Sequence, residues 1–592
     1  MKLLVVNKIT QKIKTCRSCS IISDGTQDES KLEAVCVIVR YVEENQSGSV
    51  RPVERVIDIF TTGDTSGETL CDRIVSILTA ADINLDFVIG QSYDGASNMR
   101  GKNSGVRTRM CQHAPRALYV WCHAHRLNLV VESMLCCCTD FRKAIGLMQE
   151  LYNFFNGHRR HAVFVDQQAS SSRRRALKRV ADTTRSWRSV EDGVLTFLDC
   201  YDVLEESLER LEVESTESAT VRGANGLLSQ IGDFRIIVCL HILKCIFAIT
   251  GPASRILQGI AIDLSTAVTL VRNCVDKLKT MTENADTEWQ LILDEAKAFA
   301  SNHGIEPIFT EKRKTRMKRM PGEMVRDERI QDAEKKMKVD VFKCAIDNVY
   351  TQLVERFQAE DFEILNGLRF FSPAYLLSAS ASCKPTEEQL QVVCRFYNVN
   401  PSTVLGELKE FRQIYNQLQL NIDMDDVLHL AAATRITTAH PNSSGNQQLA
   451  GEDIEVEGSE GTLADDSDDT SDRDVADFNA DENQTETCKE REAWIHHGFL
   501  KPYRLLCQLS GFMSLKYFYK ILVTLPVSSC SAERAMSRIR IVKNRLRSTM
   551  MDDWLSALLC VSTEKDILEQ VAVDDIINKF AECSEAVRRQ LV

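Results

Sequence analysis

Over the first 125 residues, short β-branched runs are separated by polar turns, with one helical stripe among them. Ser20–Ser23 is a β-type run that ends at Asp24. Ala34–Val42 and Val53–Phe60 follow, with a polar turn around Asn45–Ser49 between them. Ser66–Ala81 reads as a helix, since Leu70, Ile74 and Leu78 recur at four-residue spacing. Phe87–Ile89 is a strand leading to Asp94, and Ala117–Cys122 is another leading into a His-rich segment.

From about Phe141 to Met424 the period lengthens to that of long amphipathic helices. Leu264, Val268, Val271, Val275 and Leu278 form one such stripe. Residues 310–338 are highly charged, with Lys312, Arg313, Lys314, Arg316, Lys318 and Arg319 ahead of Pro321, and read as a surface loop. Residues 440–488 are acidic and of low complexity, and Trp494 to Val592 is helical and apolar again. The early order of three strands, helix, strand, helix, strand is that of an RNase-H-like α/β fold.

Composition changes this picture in three ways. The 21 cysteines lie scattered through helical and strand-like stretches, which suits small buried hydrophobes in a reducing compartment better than a disulfide framework. The most apolar run, Ile236–Ile249, is interrupted by His241 and Lys244 and is too short to span a hydrocarbon core of roughly 30 Å, so it reads as a buried helix. Lys8, Lys12 and Lys14 break up the apolar residues at the start, so no secretory signal is read there.

The net charge of −12 comes from one place. Between Glu452 and Glu486 fifteen carboxylates face a single arginine, a run expected to be disordered. The remainder is close to neutral and carries basic clusters. They are His158–His161, Arg173–Arg175 with Lys178 and Arg179, and Lys312–Arg319. Each suits phosphate contacts or a solvated face, and the last also suits a nuclear localisation signal.

Candidate chemistry rests on carboxylates. Two-metal phosphodiester cleavage needs acidic side chains that converge on hard cations such as Mg²⁺ or Mn²⁺. In an RNase-H-like sheet the first strand and a later neighbour each deliver an Asp, and a helix supplies the third carboxylate. Asp24 closes the first strand in Ile-Ile-Ser-Asp-Gly, and Asp94 follows the fourth in Gln-Ser-Tyr-Asp-Gly. The glycine after each lets the backbone turn. A turn or a helix cap explains both equally well. Glu533 lies in Ser-Cys-Ser-Ala-Glu-Arg at a helix start, followed by the stripe Met536, Ile539, Val542 and Leu546. A first-turn Glu that complements the helix dipole is its plain reading. Cys111, His113, Cys122, His123 and His125 form a dense cluster, but without finger spacing, and no zinc is expected.

These segments also carry a family likeness. Tyr93-Asp-Gly-Ala-Ser-Asn-Met-Arg-Gly-Lys-Asn-Ser-Gly-Val106, continuing to Ala117-Leu-Tyr-Val-Trp-Cys-His-Ala-His-Arg-Leu-Asn-Leu129, resembles the core of hAT-superfamily transposases. The branch is the one containing zinc finger MYM-type protein 1 and the 52 kDa repressor of the inhibitor of the protein kinase. Ser20–Asp28 resembles its first catalytic motif. Leu257-Gln258 with Asp263-Leu264, and Ala345–Asp347 with Arg356-Phe357, resemble its helical insertion, and Leu525–Met550 resembles the hAT dimerisation region.

The resemblance implies an Asp-Asp-Glu site at Asp24, Asp94 and Glu533 that would hold Mg²⁺ or Mn²⁺. It implies an RNase-H-like core (1–140, resumed in 491–592) interrupted by an all-α insertion domain (141–438). An acidic segment (439–490) precedes the α-helical C-terminal dimerisation region. The Cys-x-x-His element falls on Cys122 and His125, which gives His125 a role near phosphate. Trp187 aligns with a Trp that stacks on an extruded base, although Ser186 stands where the family has Arg, with Arg185 and Arg188 on either side. Nothing ahead of Asp24 supplies the family's N-terminal zinc finger, since Cys16-x-x-Cys19 is only half a motif, so end recognition is expected to be lost. Three functions stay open: a domesticated or decayed transposase that dimerises and binds nucleic acid in the nucleus, a competent Mg²⁺- or Mn²⁺-dependent transposase or nuclease, and a helical interaction scaffold with an inert core. None of them involves a membrane or a small-molecule substrate.

Overall fold

The computed structural model describes residues 1–27, 32–44, 50–170, 175–180, 187–260, 262–309, 332–357, 367–377, 387–417, 498–543, 547 and 550–582. The chain opens on α1 (Lys2–Cys16), an element the sequence reading did not assign. Val5, Ile9 and Ile13 recur every four residues and are fully buried. The lysines that interrupt them are the polar side of the helix, and Lys12 Nζ pairs with Glu43 Oε1 at 2.9 Å.

Strands β1 (Cys19–Gln27), β2 (Glu33–Glu44) and β3 (Val50–Thr62) form an antiparallel meander. Helix α2 (Gly67–Ala80) follows, capped by Ser66, whose side chain accepts the Thr69 N–H, and it buries Leu70, Ile74 and Leu78. β4 (Val88–Ser92) and the two-residue β5 (Leu118–Tyr119) add parallel to β1, with α3 (Ser97–Arg100) and α4 (Val106–His113) between them. The sheet order is β3-β2-β1-β4-β5.

β2 sits second in the sheet and is covered on both faces, which is why it reads as a continuous apolar run rather than an alternation. Val35, Val37 and Val39 pack with Ile9 of α1 and Ile74 of α2. Ala34, Cys36 and Ile38 face the other way, onto residues from the far end of the chain.

The remaining described elements are helices. α5 (His123–Cys137), α6 (Thr139–Phe155), α7 (His158–Ser170), α8 (Trp187–Asp199), α9 (Tyr201–Glu214) and α10 (Ser218–Ile231) lead to the long α11 (Phe234–Leu257). α12 (Leu264–Glu283), α13 (Ala285–Asn302), α14 (Cys344–Phe357) and α15 (Glu387–Phe396) follow. α11 corrects the sequence reading of its length: with 24 residues it is long and apolar enough to cross a membrane by composition. Most of its residues are nonetheless buried among these helices. Its two polar interruptions both meet Glu295 of α13, His241 at 3.5 Å and Lys244 at 3.3 Å. Burial, and then Lys244, push the His241 imidazole down to about 4. On α12 the stripe is narrower than expected, because Val268 turns outward.

The chain then returns to the sheet. α16 (Leu500–Gln508) and α17 (Met513–Thr524) deliver Leu525 and Pro526 onto β4. A Cβ at Gly90 would lie 2.8 Å from Leu525 Cδ2 and 3.0 Å from Pro526 Cδ, so only glycine leaves room for that contact. α18 (Cys530–Ser537) and α19 (Asp552–Thr563) cover the second face of the sheet, and α20 (Val573–Ala581) follows them.

One buried arginine ties these pieces together. Arg40 of β2 bonds Glu54 Oε1 at 2.7 Å, the Ile260 and Ile262 carbonyls at 2.6 and 3.1 Å, and the Val523 carbonyl of α17 at 3.1 Å. Strand, inter-helix segment and returning chain therefore share a single donor.

Candidate functional site

Asp24 lies inside β1, not at its end. It pairs with Cys36 of β2, and the strand continues to Gln27. The expected turn at Gly25 is absent: Gly25 is extended and pairs with Val35. Ile22, two residues earlier and therefore on the same face, packs with Ala532, Ala535 and Met536 of α18. Asp24 thus faces the helix that carries Glu533.

Asp94 reaches the same edge from the neighbouring strand. Parallel pairing sets Ile22 beside Ser92; two residues on, Asp24 is still within β1, while Asp94 lies just past the end of β4. Asp94 Oδ1 accepts the Ala96 N–H at 3.2 Å, so the turn role read from sequence coexists with this placement. Glu533 occupies the first turn of α18 and is half-buried.

Two of these carboxylates act on the third. Burial pushes the Asp24 carboxyl well above its ordinary range, and the nearby charges of Glu533, Asp94 and Cys122 push it further. Their oxygens are the right donors for a hard cation such as Mg²⁺ or Mn²⁺. Among the described residues, however, no three His, Cys, Asp or Glu side chains form a ready metal-holding group. The carboxylates share one electrostatic field without making a closed cage.

Cys122 links the elements around them. Its Sγ accepts the His125 N–H at 3.3 Å, capping α5, and the Ser529 N–H at 3.2 Å, just ahead of α18. Burial raises the Cys122 thiol, but hydrogen bonds from Cys530 and Ser529 outweigh it and hold the thiol below its usual value. The His123 N–H adds a bond to the Val527 carbonyl at 3.0 Å. The Cys-x-x-His element therefore fastens the start of α5 to the start of α18, and His125 contributes its backbone to that fastening.

The remaining sequence candidates fall elsewhere. Arg185 lies outside the described residues, as do Lys312–Arg319, Leu546 and the acidic segment; of Trp187 and Arg188 only the backbone, at the start of α8, is described. Cys111, His113, Cys122, His123 and His125 do not gather into a metal-holding group. Cys111 is exposed, and burial followed by Arg126 pushes the His123 imidazole down to about 3. Arg160 of α7 stacks on Phe154, 4.8 Å from the ring centre.

The sequence reading passed over Tyr119 and Trp121. Trp121 packs against Gly95, where a Cβ would come within 2.8 Å of its Cζ2. Arg100 and Arg126 lie over its ring at 3.9 and 4.5 Å, and Arg107 lies over Tyr119 at 4.9 Å. Only the clustering of arginines on both sides of an aromatic pair hinted at this in sequence.

Residues 2–105 match the domain family described as DUF4371: ZMYM1/FAM200, RNase-like domain. The chain is also similar to the 52 kDa repressor of the inhibitor of the protein kinase. It is 23% identical to the Homo sapiens protein over 321 residues, covering 50% of this chain and 41% of that one. Against the Mus musculus protein it is 22% identical over 307 residues, covering 50% and 39%. The match thus spans about two fifths of the length of these relatives.

Proposed function

We propose that this transposase-derived chain, whose N-terminal RNase-like domain is of the ZMYM1/FAM200 type, is a domesticated or decayed hAT transposase that binds DNA and pairs with a second copy of itself. The observation that supports the reading is the meeting of Asp24, Asp94 and Glu533 at one edge, where the charges of Glu533 and Asp94 bear on the Asp24 carboxyl. The word repressor in the relatives' name supports a nuclear place of action.

A second reading draws on the same field. Here Asp24, Asp94 and Glu533 would hold Mg²⁺ or Mn²⁺, which when bound would supply Lewis-acid chemistry for phosphodiester hydrolysis and strand transfer. Asp24 would have to give up its proton to serve as a ligand, with Asp94 supplied from the turn just beyond β4.

One experiment separates the two. The full chain and Asp94→Asn are incubated with nicked and hairpin DNA in Mn²⁺, with DNA binding followed in parallel. The first reading expects binding by both proteins and no cleavage that depends on Asp94. Cleavage by the wild type that disappears in Asp94→Asn would overturn it in favour of the second. Absence of binding at low salt would remove both.

Self-association draws support from α19 and α20. Leu555 and Leu559 of α19 are buried against the sheet. Met551, Trp554 and Leu558 turn outward, 69, 64 and 38% exposed, and Val573, Ile577 and Phe580 do the same along α20. Apolar faces of this kind mark contact surfaces. The full chain is expected to sediment as a dimer or larger assembly, and Trp554→Glu with Leu558→Glu as a monomer. A wild-type chain that sediments as a monomer would refute the association.

A further inference from the structure

Three cysteine thiols meet where α5, α6 and α14 come together. α5 and α14 lie antiparallel. Phe357, at the end of α14, stands 5.5 Å from the His123 ring at the start of α5. At the opposite end Cys344, the first residue of α14, reaches Cys137, the last of α5. Cys137 shares hydrogen bonds with Cys344 on one side and Cys138 on the other. Cys138 follows α5 and caps α6, its Sγ accepting the Phe141 N–H at 3.5 Å. A π-helical turn, Lys338–Lys343, delivers Cys344, and such turns recur at functional sites. Cys137 and Cys344 are half-buried, and the neighbouring Cys136 is exposed. We propose that these thiols form an oxidation site, at which hydrogen peroxide joins Cys137 and Cys344 in a disulfide by way of Cys138.

Position makes Cys138 the thiol that reacts first. The thiolate is the nucleophile, and a helix N-terminus stabilises it. The hydrogen bond from Cys137 pulls the Cys138 thiol down, burial opposes it, and the Phe141 and Asp140 N–H groups lower it again, to about 7. The Cys138 thiolate attacks the peroxide: an S–O bond forms, the O–O bond breaks, and the released hydroxide takes up a proton as water. The product is a sulfenic acid. Cys137 sulfur then attacks Cys138 sulfur, so that an S–S bond forms, the S–O bond breaks and a second water leaves. This bridge is strained, because consecutive Cα atoms stand about 3.8 Å apart and ordinary bridges need roughly 4.4–6.8 Å. Cys344 attacks Cys137 and passes its proton to the departing Cys138. Two thiols have lost two electrons, and one peroxide has become two waters. Cellular thiols can reverse the bond, as befits a transient disulfide in a reducing compartment. While it lasts, it clips α14 to a helix whose other end is fastened to α18 through Cys122.

The test treats the full chain, reduced and freed of reductant, with hydrogen peroxide, then alkylates it and digests it with trypsin without reduction. Mass spectrometry should find Leu127–Arg142, which holds Cys136, Cys137 and Cys138, joined to Cys344–Arg356. Dithiothreitol should separate the two. Cys137→Ser and Cys344→Ser should each abolish the joined pair, whereas Cys136→Ser should leave it. Cys138→Ser should still yield it, but about tenfold more slowly, because the reaction must then start from a thiol without the helix cap. No joined pair in the wild type, under conditions that oxidise the exposed Cys111, would overturn the site, and that outcome needs no variant. A joined pair that persists in Cys137→Ser would overturn the assigned bond. A wild-type rate in Cys138→Ser would overturn the route through Cys138.

Discussion

Arg40→Met is expected to lower folding stability by about 3–5 kcal/mol, the range for removing one partner of a buried ion pair. Arg40 is 1% exposed and Glu54 5%. Methionine fills the space of the aliphatic stem but leaves the Glu54 carboxylate without its cation, away from water. It also leaves the Ile260, Ile262 and Val523 carbonyls without that donor. Each unsatisfied buried group adds its own desolvation penalty, about 1–3 kcal/mol. The damage reaches the acidic edge as well, because Glu54 also accepts the Ser531 hydroxyl at the start of α18. Urea unfolding of Arg40→Met, Glu54→Gln and the double variant tests this. The double variant should be clearly less destabilised than the sum of the singles. A single-variant loss under about 1 kcal/mol, or additivity within about 0.5 kcal/mol, would show that the pair is not coupled as described.

Asp24→Asn is expected to do the opposite and stabilise the chain at neutral pH, by about 1–2 kcal/mol, the usual size of a single favourable change. Burial first, then Glu533, Asp94 and Cys122, raise the Asp24 carboxyl in the folded state above its ordinary 3.8. Below that value folded and unfolded chains both carry the proton, and Asp24 imposes no pH-dependent penalty. As pH rises through it, the unfolded chain ionises while the folded one retains its proton, so the folded state loses ground until its own raised value is passed. The gain from Asn should therefore be absent near pH 3 and open as pH increases. Thermal unfolding across that range reads it directly. A gain that is flat with pH, or a loss at pH 7, would mean that Asp24 is relieved by some other contact in the fold.

How much of this was readable beforehand differs from element to element. β2 and β3 were legible because their β-branched runs are continuous, and α2 because its stripe is regular and Ser66 marks the start. α1 was missed because the lysines between its apolar residues hide a four-residue spacing. Asp24 was read as a strand end because Asp-Gly is a common turn pair, whereas pairing with Cys36 and Val35 carries the strand through it. β5 is two residues long, below what any periodicity can signal. No local pattern joins Asp24, Asp94 and Glu533; the family likeness proposed the set, and strand register with the packing of α18 brings them near one another. The stacking of Arg100, Arg107 and Arg126 was no more than hinted at by their clustering around an aromatic pair, since three separate helices must fold before their side chains meet.

The covering of the second sheet face has a consequence for how the chain is made. Ile59 and Ser556, which meet there, are 497 positions apart. At ribosomal speeds of about 5–20 residues per second, the meander emerges roughly 25–100 s before the helices that shield it. During that interval Ile22, Cys36, Ile38, Val56 and Ile59 lack the contacts they keep in the finished protein. A nascent chain stalled before α18 is therefore a client for holdase chaperones, and early termination would yield a species prone to aggregate.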